Sequence, residues 1–242
     1  MKALVLAAGL GKRRLPETLT TPKALLPFMG RPVVYHVLDW LIEHGITSVV
    51  MNAYHLKERL ISTIGSSYRD LPIAWSVETE LLGTAGGIQR VVEQGLIEDE
   101  EFFVVNADVV STVRLAPLIA HRAKGHYATV LAVIANPPDS GETALWSDDE
   151  GRLTGLGSPR PDGAARPWLF TGIQLATREM ASWLPPGRSE LARHVLMPAI
   201  ASGNGKVGLV SYAVPEDGVW FDLGTAERVR VAEEYMTASN KT

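Results

Sequence analysis

Ala3-Leu4-Val5-Leu6-Ala7-Ala8-Gly9-Leu10-Gly11-Lys12-Arg13 opens the chain, and beyond Pro16 it continues into Thr21-Pro22-Lys23-Ala24-Leu25-Leu26-Pro27. The run from Ala3 to Leu6 has the length and content of a buried strand, and it stops abruptly at Gly9. Glycines, cations and a fixed Pro-Lys follow, which puts flexible backbone N–H groups and positive charge at the carboxyl end of a strand. An anionic ligand is the natural occupant of such a place. On spacing alone, the same residues also fit an ordinary strand-to-loop turn with solvated cations.

Working outward, 242 residues suffice for one large α/β domain or two small ones. A hydrophobic fraction of 46% with 21% charged residues is that of an ordinary water-soluble protein. The net charge of -4 argues against nucleic-acid binding through a broad basic surface, so an anion site must be built from a few local cations. The absence of cysteine excludes disulfides, thiolate metal sites and cysteine nucleophiles. The apolar run at the start is too short for a signal peptide, and nothing approaches the roughly 18 apolar residues of a membrane span. A cytoplasmic protein is the expectation.

Past Lys23, Arg31-Pro32 opens a helical pattern with Val33, Val34, Val37, Leu38, Leu41 and Ile42 at helix spacing and a stop at Gly45. Ser48 to Asn52 reads as a strand, Tyr54 to Ile64 as a helix, and Pro72 to Val77 as a third strand. Gly83-Thr84-Ala85-Gly86-Gly87 leads into a short helix ending near Gln94. Phe102 to Val105 is an apolar strand ending in Asn106-Ala107-Asp108, Leu115 to Ala123 a helix, and Tyr127 to Ala135 a strand. Apolar strands alternating with helices predict a parallel sheet covered on both faces.

The pattern changes after Pro137-Pro138. Short strand pieces at Ala144 to Trp146 and Arg152 to Thr154 precede a strand from Trp168 to Ala176 that Thr171-Gly172 interrupts. Leu191 to Ile200 reads as a helix, Lys206 to Ala213 and Val219 to Asp222 as strands, and Thr225 to Tyr235 as a closing helix before a frayed polar tail. No repeat or long linker separates independent units. One domain over 1–242 is expected, with a first half at 1–135 and an elaborated second half at 136–242.

Two familiar phosphate motifs fail. A dinucleotide fingerprint needs a third glycine where Arg14 stands, and a Walker loop needs glycine at Leu6 and Ser or Thr at Arg13. What remains is a shorter loop with Arg13 and, ten residues on, Lys23. Its glycines allow close backbone approach, and its cations can neutralise a polyphosphate. Lys12 and Arg14 individually read as solvated or salt-bridged.

Leu6 to Arg13, Pro16 and Pro22-Lys23-Ala24-Leu25-Leu26-Pro27 resemble the signature of the sugar-1-phosphate nucleotidylyltransferases, also called nucleoside-diphosphate-sugar pyrophosphorylases. The resemblance recurs, in family order, at Leu82 to Gly87, Val105-Asn106-Ala107-Asp108, Phe170-Thr171-Gly172-Ile173 and Trp220 to Thr225. It implies a Rossmann-like three-layer α/β/α sandwich around a mixed, mainly parallel sheet. It also implies transfer of a nucleotidyl group from an NTP to a sugar-1-phosphate, giving an NDP-sugar and pyrophosphate. The partners are then those two substrates, with no nucleic acid or membrane, and the state a monomer or homodimer.

The resemblance further implies roles for individual residues. The main chain of Leu6, Ala7, Ala8, Gly9, Leu10 and Gly11 would cradle base, ribose and phosphates. Arg13 would hold the outgoing phosphates and Lys23 the α-phosphate under attack, with Asp108 as the third catalytic residue. Gly83, Thr84, Ala85 and Gly86 would line the base region, their missing side chains and helix-terminal N–H groups admitting the ligand. Asn106, Gly141, Glu142, Thr171 and Gly172 would meet the sugar phosphate. Asp108 and Asp222 would share Mg2+, a hard cation that takes one or two carboxylates and completes its shell with phosphate and water. In these places each Asp also fits a turn or cap, and Thr171-Gly172 also fits a bulge. Glu78 and Glu80, just before the glycine segment, are open to base or sugar contact or to solvent.

Some letters depart from the family. Lys12 stands where threonine is usual, and Ala107 where glycine is commonest. The Glu-Lys-Pro before the sugar strand is absent, leaving Arg160 or Arg166 as substitutes for its lysine. The 6 histidines have no catalytic or metal-ligand spacing. The length leaves no room for the C-terminal β-helix of longer members. Short members include mannose- and heptose-1-phosphate guanylyltransferases and N-acetylmuramate-1-phosphate uridylyltransferases, and the Glu78 to Gly87 spacing with the compact second half looks closest to the last group. A non-catalytic nucleotide-sugar-binding regulator and cytidylyl transfer to a non-sugar phosphate are the rival readings.

Overall fold

Lys2–Leu6 forms strand β1, in which Ala3, Leu4 and Val5 are fully buried. Ala3 and Val5 point into one apolar cluster and Leu4 into another, because successive side chains of a strand leave on opposite faces. A strand covered on both sides has no solvent face, hence its unbroken apolar sequence. The computed structural model describes residues 1–136, 141–162 and 166–239; Pro137-Pro138 and the tail from Asn240 to Thr242 lie outside the described residues.

Along the chain follow β2 (Pro27–Phe28), β3 (Arg31–Pro32), α1 (Val33–Glu43), β4 (Ser48–Ala53), α2 (Lys57–Ile64), β5 (Ser67–Tyr68), β6 (Leu71–Val77) and α3 (Gly83–Glu93). Then come β7 (Glu101–Asn106), β8 (Val109–Ser111), α4 (Ala116–Gly125), β9 (Thr129–Ala135), β10 (Leu145–Ser147), β11 (Leu153–Leu156) and β12 (Trp168–Thr177). The chain closes with α5 (Arg178–Ala181), a wide helical turn at Ala192–Leu196, α6 (Met197–Ser202), β13 (Val207–Tyr212), β14 (Trp220–Asp222) and α7 (Ala226–Ser239). No helix of the described residues is long and apolar enough to cross a membrane.

β7, β1, β4 and β6 lie side by side and parallel. The register sets Leu6 between Asn52 and Asn106, so three strands end together at one edge. β12 runs antiparallel between β7 and β9, and β13 pairs parallel to β9, so the sheet is mixed. α1, α2 and α4 cover one face with Leu38, Leu60 and Leu118. α3, α5 and α6 cover the other with Ile88, Met180 and Ala199. This is the three-layer architecture expected.

Several local expectations change. The second helix begins at Lys57, because Leu56 sits in the left-handed region (φ 49) and blocks an earlier start. The segment read as one helix from Leu191 is a wide turn followed by α6. Pro198 in α6 has no N–H for the turn before it, which locally widens the winding. The interrupted strand is a single strand, β12, whose register on β9 shifts between Phe170 and Gln174. β8 was not anticipated; it pairs antiparallel with β14, Val109 opposite Asp222. The closing helix continues past Tyr235 to Ser239.

Candidate active site

Beyond the aligned ends of β1, β4 and β7 lies a cavity of 370 Å³ bounded by the loop from Gly9 to Arg13, by Lys23 and by Asp108. Lys12, Arg13 and Lys23 all line it, so it is positively lined, as an anion requires. Lys23 opens a short turn fixed by Pro22 and forms an ion pair with Asp108 Oδ2. Arg14 does not reach the cavity. It is buried, and its guanidinium lies 2.9 Å from Glu17 Oε2.

Part of the expected backbone cradle is already occupied. The N–H groups of Ala7 and Ala8 both donate to Asn52 Oδ1 (2.7 and 3.3 Å). Asn52 Nδ2 donates to Glu78 Oε1 (2.8 Å), and Glu78 Oε2 accepts from the Leu82 N–H (3.1 Å). Asn52 and Glu78 are thus a buried brace joining the first loop to the start of α3. Amides available to a ligand therefore come from Gly9 onward. Burial pushes the Glu78 carboxyl above the usual range, while the Leu82 N–H and the Asn52 amide oppose the shift. Glu78 is fully buried, with both carboxyl oxygens accepting hydrogen bonds within the fold; Glu80 is exposed. Asn52 is a polar residue near the end of an apolar strand, which is the only sequence sign of its role.

The glycines opening α3 also have a packing role within the fold. A Cβ on Gly83 would meet Glu190 Oε1 at 2.5 Å and Ser189 O at 2.6 Å; one on Gly86 would strike the Gly187 carbonyl. The Ala85 and Gly86 N–H groups donate to Ser189 O (3.1 and 3.2 Å), and Ala85 is fully buried. The 187–190 loop therefore sits where a ligand was expected. Helix-terminal donors at Ala85 and Gly86 are spoken for. Gly83 and Thr84 still line a cavity of 250 Å³, together with Leu6, Asn106 and Glu190.

A third cavity, 790 Å³, joins the others through Arg13 and Asn106. Glu142, Thr171, Gly172 and Asp222 line it, whereas exposed Gly141 does not. Thr171 is buried and its hydroxyl donates to Ala132 O (2.8 Å), so that hydroxyl is committed to the fold. Gly172 has φ 78, and a Cβ there would meet Asn106 Nδ2 at 2.5 Å. Its missing side chain makes room for Asn106. Gly172→Ala is expected to cost about 2 kcal/mol through backbone strain and displacement of Asn106; urea unfolding measures this, and an unchanged midpoint would contradict the packing.

Asp108 and Asp222 come together through β8 and β14, with the Leu223 N–H donating to Asp108 O (3.0 Å). Asp222 Oδ2 lies 3.9 Å from Arg13 and pairs with Arg228, while Asp222 Oδ1 is buried without a hydrogen-bond partner. An orphaned carboxylate oxygen on a strand paired next to Asp108 suits a hard cation. No group of three or more His, Cys, Asp or Glu that could hold a metal occurs among the described residues, so this pair would need ligand oxygens to complete a shell. Arg160 stacks 5.7 Å over Trp146 and Arg166 4.3 Å over Trp168; neither is among the residues lining these three cavities.

Residues 2–152 match the model of the nucleotidyl transferase family. The chain is 31% identical to the UTP–glucose-1-phosphate uridylyltransferase of Synechocystis sp., over 93% of this chain and 60% of that protein. It is 30% identical to a probable mannose-1-phosphate guanylyltransferase of Oryza sativa, over 93% of this chain and 61% of that one. It thus spans about 60% of the length of these curated relatives. A UDP-glucose pyrophosphorylase complexed with UDP-glucose superposes with a TM-score of 0.78 at 18% identity, covering 98% of each chain. HddC from Yersinia pseudotuberculosis, complexed with GMP-PN, gives 0.78 at 16%, covering 97% of this chain and 99% of that one. The structural likeness gives the fold, and the sequence match gives the lineage: the chain belongs to the nucleotidyl transferase family.

Proposed function

We propose that this chain transfers a nucleotidyl group from an NTP to a sugar-1-phosphate, releasing pyrophosphate. The observation that carries the reading is the position of Asp108 and Asp222. Asp108 lines the cation-lined cavity and Asp222 the larger cavity of mixed character, and the Leu223 N–H to Asp108 O bond joins the two segments. Residues 1–135 alone line the first, and residues 136–242 contribute much of the second, which supports a nucleotide half and an acceptor half.

The amides from Gly9 to Gly11 hold the phosphates, with Gly83 and Thr84 along the base. Lys23 neutralises the α-phosphate and Arg13 the departing phosphates. The acceptor phosphate oxygen attacks the α-phosphorus in line, and the bond to the bridging oxygen of pyrophosphate breaks. This nucleophile is already anionic at neutral pH, so no general base or covalent intermediate is required. Crowding of anions is the barrier, and preorganised positive charge lowers it. Asp108 and Asp222 would hold Mg2+, which supplies charge neutralisation at the phosphates when bound. Residues toward the 790 Å³ cavity favour a sugar over a small non-sugar phosphate: Asn106 and Glu142 offer hydroxyl partners there.

The test is pyrophosphate release across a matrix of NTPs, UTP and GTP first, against glucose-, mannose- and N-acetylmuramate-1-phosphate. One pair should turn over, and EDTA should stop it. A folded protein that binds NTP and releases nothing supports the regulator instead.

A further inference from the structure

Within this nucleotidyl-transfer reading, we propose that Arg228 is the cation that binds the acceptor's phosphate. The family's lysine is missing, and the two arginines nearest its place in sequence are stacked on Trp146 and Trp168. In the 790 Å³ cavity the lining cations are Arg13 and Arg228, against the carboxylates Glu142, Glu190, Asp222 and Glu227. A phosphate dianion entering such a cavity can settle only where the cations are concentrated.

That place is well defined. Arg228 Nη2 lies 3.0 Å from Glu142 Oε1 and its Nη1 pairs with Asp222 Oδ2; Arg13 approaches the same carboxylates at 3.8 and 3.9 Å. Arg228 stands on the first turn of α7, its N–H donating to Thr225 Oγ1 (3.2 Å). α7 is anchored by Val229 and Ala232 against Phe28 and Leu223. The base of the side chain is thus fixed while the side chain as a whole remains 35% exposed. A planar fork with five donors suits a phosphate better than a point charge does.

The present pairing also implies an exchange. A cation drawn to Asp222, whose Oδ1 is unpartnered, neutralises that carboxylate and weakens its hold on Arg228 through Oδ2, and the guanidinium so released faces the cavity. The four side chains balance in charge now; a phosphate dianion and a divalent cation together restore that balance. Binding of acceptor and Mg2+ is therefore cooperative, and the acceptor lies with its phosphate toward Asp222 and its sugar toward Gly172 and Leu169.

The experiment uses the full chain with the sugar-1-phosphate that the wild type turns over. Arg228→Gln should raise the acceptor KM at least ~30-fold, the scale of losing hydrogen bonds to a charged group, with the NTP KM within ~3-fold. Arg228→Lys should recover part of the loss, while Arg160→Ala and Arg166→Ala behave as wild type. Calorimetric titration with the same sugar-1-phosphate should show tighter binding with Mg2+ than without, a difference that shrinks in Arg228→Gln. An unchanged acceptor KM in a folded Arg228→Gln, or a loss found in Arg160→Ala or Arg166→Ala instead, overturns the role given to Arg228. A wild type that binds NTP but turns over no sugar-1-phosphate overturns the transfer reading and this role with it.

Discussion

Lys23→Ala is expected to lower turnover at least ~100-fold, the scale of removing one preorganised electrostatic contact, with the urea midpoint close to wild type. The side chain is partly buried, lines the cation-rich cavity and pairs with Asp108. Removing it takes positive charge from the phosphorus under attack and leaves Asp108 repelling the incoming nucleotide. Asp108→Asn should match that loss, because the amide keeps the shape but cannot share a cation with Asp222. Near-normal turnover in either variant would remove that residue from the mechanism. The ion pair itself is a poor reserve of stability, since partly exposed pairs contribute roughly 0–1 kcal/mol.

Asn52→Leu is expected to cost about 3 kcal/mol, because it strands the Ala7 and Ala8 N–H groups and leaves the buried Glu78 carboxyl without its side-chain partner. Leucine has the same branching and number of side-chain heavy atoms and is the larger of the two, so a cavity cannot explain the loss. The same change should weaken NTP binding, since the Gly9 to Gly11 amides take their positions from the residues that Asn52 pins. Glu78→Gln should be milder, about 1 kcal/mol, because one acceptor oxygen survives. Urea unfolding and nucleotide titration measure both effects. A midpoint for Asn52→Leu equal to wild type would refute the brace.

Elements that carry their own periodicity were legible in the sequence. β1, α1, β4, β6 and β7 follow from apolar runs and helix spacing, because each buries a face whatever its neighbours do. β8 escaped because three residues carry no period, and it exists only through pairing with β14. The cation-bearing loop and the two aspartates could be read from local motifs. Asn52, Ser189 and Arg228 could not, since their importance arises from contacts across 45, 104 or 86 residues of chain that no spacing rule reports. Glycines at Gly83 and Gly86 were visible, but the 187–190 loop that packs against them was not. The loop that fills their missing side chains is far away in sequence.

The 31P spectrum of a reaction mixture tests the central claim most directly, because it reports which phosphorus is attacked. With the cognate NTP and sugar-1-phosphate, the account predicts the paired α and β resonances of an NDP-sugar together with intact pyrophosphate, in equal amounts. Orthophosphate with free NDP, or an unchanged NTP spectrum beside a folded, nucleotide-bound protein, would contradict it.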